Sequence, residues 1–419
     1  MAVTPHPFSF RDFRLYWIAR FCGVLAQVGM VVLIGWQVYD TARSDYGMDP
    51  KEAAFQLGLI GIAQFLPLLL LMPVAGWMAD RFDRRLVSGA ALSLDLFNAL
   101  ALGWMTWSDT LTLPALFGIA ALHGVVRTFN GPSMSSIAPN LVPPESLPQA
   151  IALSSIAWQT GSIIGPALAG LVYAAHPAAS YWAAATLLAV SAVCVLAIRP
   201  FPRKSIAGQS HPLRQMIEGL TFVRRHRFLL GAVTLDLFAV LLAGATALLP
   251  AYARDILKVG PEGLGWLRGA PALGATLLAI WFSYRPLKHN VGIKMLAAVI
   301  VFGAATIVFG VSTHLWLSLG MLVILGAADM LSVYVRSSLT QLYTPDEMRG
   351  RVNAVSQLAI SGSNELGEAQ SGVAAALLGP IGAVVFGGAG AIAVTLIWAY
   401  IFPELRRAKT FDPPKELQQ

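Results

Sequence analysis

GWMADRFDRRLV, residues 76–87, decides how the rest of the chain is counted. Asp80, Arg81, Asp83, Arg84 and Arg85 crowd into six consecutive positions. Long apolar runs flank them, 55–78 before and 86–107 after. Dense charge between two such runs reads as a short turn joining two membrane helices. Arginine resists crossing the bilayer, so the turn is placed on the cytoplasmic side.

Composition agrees with a membrane protein. The chain has 419 residues, 56% hydrophobic and 12% charged, whereas a soluble domain carries roughly 25% charged residues. The net charge of +7 therefore marks loop sidedness and gives no reason to expect nucleic-acid binding. Cys22 and Cys194 each sit inside an apolar run and offer neither a disulfide framework nor a metal-ligand spacing. The first apolar run is too long for a signal peptide and no small-residue cleavage site follows it, so it reads as an uncleaved first span.

Counting outward from the turn gives an all-α membrane fold. Spans of about 20 apolar residues occur at 13–39, 55–78, 86–107, 113–137, 150–174, 178–198, 228–253, 264–284, 295–311, 315–334, 352–378 and 381–402. With both termini cytoplasmic, twenty-one of the 29 Lys and Arg residues fall inside and four, Arg43, Lys51, Arg254 and Lys258, fall outside. That asymmetry sets the orientation. Arg20, Arg127, Arg268 and Arg336 lie within or at the edge of spans.

The twelve spans divide into a six-helix bundle at 1–198, a cytoplasmic linker at 199–227, a second six-helix bundle at 228–403 and a cytoplasmic tail at 404–419. The linker ends in PLRQMIEGLTFVRRH, which predicts a short amphipathic surface helix. An internal repeat supports the division. LVPPESLPQAIAL from Leu141 aligns with LYTPDEMRGRVNA from Leu342, each at the entry to the fifth span of its half. The 76–87 turn has a degraded counterpart at 284–289, YRPLKH, which keeps basic residues but has lost the aspartate.

Three motifs make the chain similar to the major facilitator superfamily. GWMADRFDRR from Gly76 resembles that family's signature between the second and third spans, with Asp83 standing where a second glycine is usual. Arg127-Thr128-Phe129-Asn130-Gly131 resembles its fourth-span motif, an arginine four residues before a glycine. Gly161, Gly165, Pro166 and Gly170 resemble the glycine/proline antiporter motif of the fifth span. His211-Pro212-Leu213 and PDEMRGRVNA, starting at Pro345, narrow the likeness to the enterobactin-exporter-like branch. The resemblance implies two six-helix bundles and proton-coupled antiport exporting siderophores, drugs or other amphipathic compounds. It further implies a substrate site near mid-membrane between the halves. It also implies that Asp80, with Gly76, Arg81, Arg84 and Arg85, forms a latch against the start of the eleventh span, around Arg351. An anion at a helix N-terminus contributes about 0.3–1 kcal/mol when exposed and up to about 2 when partly buried. A solvated topology signal is the other reading of the same charges. In the antiporter motif, the glycines clear one face of the helix and Pro166 removes a donor and bends it.

The remaining candidates are polar groups within spans. Arg127 lies deep in the fourth span, where a charge costs at least about 2.5–3.5 kcal/mol, so it is expected to face a cavity or a partner. Asp236, Asp329, Glu365, Glu368 and Arg127 are the proton-coupling candidates. Glu365 and Glu368 stand one turn apart on one helix face and are favoured. Structural ion pairs are the alternative for each, such as Asp329 with Arg336. Asp95, with Asn98 on the same face, is expected to pair with an arginine of the 76–87 turn. Arg20, Gln27, His123, Asn130 and Trp158 are candidates to line a cavity. Aromatics near the span ends, among them Trp104, Trp107, Trp316 and Trp398, read as interface belts.

Neither a nucleophile with a base nor a nucleotide loop stands in the cytoplasmic segments, so enzymatic activity and ATP-driven pumping are not expected. The expected protein is a plasma-membrane transporter, in a bacterium the inner membrane, monomeric and without cofactor. It takes a small molecule and protons as partners beside membrane lipid, with the proton gradient as energy source. Two alternatives stay open: a cation or metal transporter built on the intramembrane carboxylates, and a lipid translocator.

Overall fold

A computed structural model describes residues 5–200 and 212–411, apart from the side chains of Pro73, Trp77, Ala79, Asp80, residues 212–215 and Asp346. The expected linker stretch 201–211, the tail 412–419 and the latch carboxylate of Asp80 thus lie outside the described residues. Among the described residues there is no strand. The helices are α1 (Arg11–Ser44), α2 (Pro50–Arg81), α3 (Arg84–Trp107), α4 (Leu113–Ser135), α5 (Leu147–Ala175), α6 (Pro177–Leu196) and α7 (Pro212–Arg225). They continue as α8 (Arg227–Leu242), α9 (Leu249–Ala251), α10 (Gly260–Tyr284), α11 (Val291–Val311), α12 (Leu315–Leu342), α13 (Asp346–Ile401) and α14 (Pro403–Arg407). Among the described residues, eight helical stretches are long and apolar enough to cross a membrane, one of them Arg227–Ile256. Large apolar side chains such as Phe97, Val193 and Leu377 stand exposed along them, as a lipid-facing surface requires. Exposed Trp104, Trp107, Trp316 and Tyr400 lie near helix ends.

Local chemistry sets the boundaries. Pro50, Pro177, Pro212 and Pro403 each open a helix, where the missing N–H costs nothing. Asp83 caps α3: its carboxylate accepts from the backbone N–H of Arg85 at 3.0 Å. The residue that departs from the family's glycine is therefore the start signal of α3. In α13 the helical path breaks at Gly379, with φ 78 and ψ 165. Only glycine adopts such a φ readily, and Pro380 follows it, so the turn expected there is a sharp kink.

One span differs from expectation. The run 228–253 reads as a single helix, yet α8 stops at Leu242 and a 3-10 turn, Ala245–Leu248, follows. A five-residue π turn, Tyr252–Ile256, comes after α9. Pro250 has no N–H to donate to the carbonyl of Thr246, which removes a rung of the helical ladder. At Gly244 the carbonyl of Gly367 and the hydroxyl of Ser371 fill the space a side chain would need.

Two compact units divide the chain. Unit 1 comprises Met1–Tyr46, Ala63–Gln209 and Val259–Gly269; unit 2 comprises Gly47–Ile62, Ser210–Lys258 and Ala270–Gln419. Within unit 1, α1 packs on α5 and α6, and α3 on α4 and α6. Its core holds Phe13, Tyr16, Met30, Leu33, Leu92 and Leu102. Within unit 2, α13 packs on α8 and α11, and α11 on α12, around Leu229, Leu235, Met295, Val335 and Leu339.

Candidate functional site

In unit 1, Asp95 of α3 and His123 of α4 are completely buried, and Nδ1 of the imidazole lies 2.8 Å from Oδ1 of the carboxylate. Gln27 of α1 donates from Nε2 to the other carboxylate oxygen at 3.1 Å. Its Oε1 accepts from Nδ2 of Asn130 at 3.3 Å. Oδ1 of Asn130 in turn accepts from the hydroxyl of Ser88 at 2.6 Å. An ionised carboxylate only accepts, so Gln27 presents its NH2 to Asp95. That leaves the Gln27 oxygen for Asn130, and the Asn130 oxygen for Ser88. Every donor in the chain points towards Asp95.

The expected partner of Asp95 was an arginine of the 76–87 turn, and this is corrected. Asp95 lies eleven residues beyond Arg84, about 16 Å along the helix. The arginines are engaged locally. Arg84 donates to the carbonyl of Ser136 at 3.1 Å. Arg85 is held by Asp83 and by the carbonyl of Ile198. Gly76 and Arg81 are exposed in the last turns of α2.

Arg127 is one turn from His123 but serves another neighbour: it donates to Oε1 of Gln64 on α2 at 3.1 Å. The backbone approach there is close, since a methyl on Gly124 would stand 2.5 Å from the carbonyl of Gln64. Arg20 donates to the carbonyl of Ser154 at 3.2 Å, and its guanidinium lies 5.7 Å from the ring of Trp158. Of the cavity candidates, Gln27, His123 and Asn130 thus share one network with Asp95, and Arg20 with Trp158 forms another pair.

The glycine motif of α5 faces two helices. A Cβ on Gly161 would stand 2.9 Å from Val24 Cγ1, and one on Gly165 would stand 2.7 Å from the carbonyl of Leu25, both on α1. Further along, Gly170 lies against Pro261 and Gly265 of α10, and a Cβ on Gly265 would stand 2.6 Å from the carbonyl of Pro166.

Unit 2 handles its acids differently. Asp236 of α8 forms an ion pair with Arg336 of α12, both less than a tenth exposed. Asp236 and Asp329 line one small cavity with Val240, Phe302, Ala328 and Ser332. The pairing of Arg336 with Asp329 is therefore corrected. Seven residues span about 10 Å of helix, and α8 brings Asp236 to the guanidinium from across the bundle. Glu365 is buried and Glu368 half-buried on α13. Neither lines this cavity. They stand instead where α13 meets α2: a Cβ on Gly61 would lie 2.8 Å from Cβ of Glu368 and 3.1 Å from the carbonyl of Glu365. One turn earlier in α2, a Cβ on Gly58 would lie 2.7 Å from Cα of Gly372. Among the described residues, no three His, Cys, Asp or Glu side chains converge as metal ligands would.

Arg351, at the start of α13, forms an ion pair with Glu218 of α7 at 3.0 Å. Gly219 of α7 fits there because a Cβ would stand 2.6 Å from the Arg351 carbonyl. Residues that sequence reasoning passed over are Gln64, Ser88, Ser332 and Glu218. For the first, a signal was available: Gln64 is a lone amide within IGIAQFLPLLL, and an amide in an apolar span needs a partner.

A family model described as transmembrane secretion effector matches residues 2–415. The enterobactin exporter EntS of Escherichia coli O1:K1 / APEC is 25% identical over 409 residues, covering 96% of this chain and 94% of its own length. Its counterpart from Shigella boydii serotype 18 is 25% identical over 407 residues, with the same coverage. Among solved structures, a POT family transporter in complex with 5-aminolevulinic acid superposes with a TM-score of 0.72 at 14% identity, covering 94% of this chain and 97% of that one. A bacterial homologue of the human lysosomal transporter Spinster, inward-facing and unoccupied, gives 0.71 at 14% identity, covering 95% and 97%. At such identity these structures speak for the fold alone.

Proposed function

The chain belongs to the transmembrane secretion effector family of the major facilitator superfamily, and from that premise we propose that it is a proton-coupled exporter of an amphipathic small molecule. The substrate is drug- or siderophore-like, the name of the curated relatives favouring a siderophore. Alternating access between two six-helix bundles of twelve spans, both termini cytoplasmic, carries it across a bacterial inner membrane.

The observation that supports coupling is the cavity of unit 2. Two carboxylates, Asp236 and Asp329, line it, and one guanidinium, Arg336, pairs with the first of them. A second anion beside a satisfied ion pair is unfavourable in a low-dielectric interior. A proton, or a cationic group of the substrate, relieves it. Asp329 is thus the exchangeable carboxylate, while Asp236 and Arg336 hold α8 to α12. The proton and the substrate compete for the same relief, as antiport requires. Glu365 and Glu368 remain proposed coupling groups beside it, at the contact of α13 with α2. A metal-transport reading gains less, because the acids gather in pairs.

Inverted membrane vesicles provide the test, using enterobactin and a panel of amphipathic dyes with and without a pH gradient. Transport should follow the gradient, and Asp329→Asn should abolish that dependence while the protein still inserts. Transport indifferent to the gradient, or an Asp329→Asn variant indistinguishable from wild type, would overturn the reading.

A further inference from the structure

The buried network of unit 1 has no place in the coupling scheme above, yet it contains an imidazole and a carboxylate in direct contact. Its polarity is fixed along its length. Ser88, Asn130 and Gln27 pass a chain of donors to Asp95 Oδ2, and His123 meets Oδ1 through Nδ1. A carboxylate at Asp95 accepts from both sides, from the Gln27 amide at Oδ2 and from an N–H on Nδ1 of His123 at Oδ1. A neutral imidazole so oriented has one basic atom left, Nε2.

That atom is buried and has no hydrogen-bond partner among the described residues. Asn98, one turn along α3 from Asp95 and 1% exposed, likewise has no partner for either polar atom. Two buried polar groups of this kind are costly unless something polar visits them.

We propose that Asp95 and His123 form a proton-binding site of unit 1, separate from the carboxylate cavity of unit 2. One proton adds to Nε2, the imidazole becomes imidazolium, and the pair passes from a net charge of −1 to neutral. No bond other than N–H forms or breaks. The ionisable groups on the surrounding elements are otherwise engaged. On α4, Arg127 donates to Gln64. On α1, Arg20 is drawn to Ser154 and Trp158. Arg85 at the start of α3 is held by Asp83. From α6, Tyr181 donates to Gln37; Cys194 of α6 and Cys22 of α1 are thiols in no disulfide and supply no cation. Asp95 is thus left as the counter-ion of His123.

The test is nitrogen-15 NMR of histidine-labelled full-length protein in nanodiscs, titrated across the pH range in which it stays folded. Nitrogen shifts separate imidazolium from the two neutral tautomers. The expected result is a His123 signal passing from imidazolium to the neutral form protonated on Nδ1 as pH rises. Asp95→Asn should abolish that tautomer preference. His123→Gln assigns the signal. If it does not fold, a variant retaining His123 alone, with the six other histidines replaced, does the same. A His123 locked in one protonation state throughout, or a tautomer unchanged by Asp95→Asn, would overturn the proposal. The titration needs no transport, so its outcome is separate from that of the vesicle assay.

Discussion

In unit 1 the carboxylate of Asp95 is met by an imidazole and an amide, and a relay of neutral groups stands behind them. In unit 2 the carboxylate of Asp236 is met by a permanent cation, and a second acid shares the cavity. The first network is balanced by dipoles and is cooperative: each member is oriented by the next. The second sets two carboxylates against one guanidinium. Similar burial thus yields two kinds of site, one built on oriented dipoles and the other on charge.

Substitutions can break the contrast. Arg336→Leu should have the largest effect, because it leaves two buried carboxylates without their cation. A loss of about 3–5 kcal/mol is expected, read as thermal unfolding of the protein in nanodiscs. Gln27→Leu comes next: it strands Oδ2 of Asp95 and the amide of Asn130, at a cost of about 1–3 kcal/mol. Were the two losses to reverse in order, the relay rather than the guanidinium would be the stiffer element. Ser88→Ala removes only the far end of the relay and should cost about 0.5–1.5 kcal/mol. Smallest for the network is Asp83→Gly, which restores the family's usual residue at the cap of α3 and releases Arg85. It should leave the His123 tautomer seen by NMR unchanged. A shifted tautomer there would mean that Asp95 is positioned by the turn of 76–87 and not by its own partners.

The fold was legible because apolar run length and loop charge are one-dimensional signals. The 76–87 turn, the amphipathic α7 and the kink at Gly379 all follow from residue type at fixed spacing. The break after Leu242 was not, because 228–253 is apolar throughout and Pro250 lies near its end, where a stop and a bend read alike. Partners were harder still. Asp95 and His123 are 28 residues apart, and whether they meet depends on the rotation of α3 against α4, which sequence spacing does not encode. The same is true of Arg336, whose neighbour along its own helix was the natural choice and whose partner came from α8. Polar residues in apolar runs announced that partners must exist. Only packing chose them.

The interruption after Leu242 has a mechanical meaning. A continuous helix bends as a rod, with every turn sharing the load through its hydrogen bonds. Here the ladder lapses between Leu242 and Leu249, where Ala243 and Gly244 have ψ of 37 and 36. The rod is jointed, and Asp236 sits on the stiff arm before the joint, clamped to α12 through Arg336. The carboxylate cavity is thus built on the arm that ends before the joint, and the packing of Gly244 against Gly367 and Ser371 holds the joint itself.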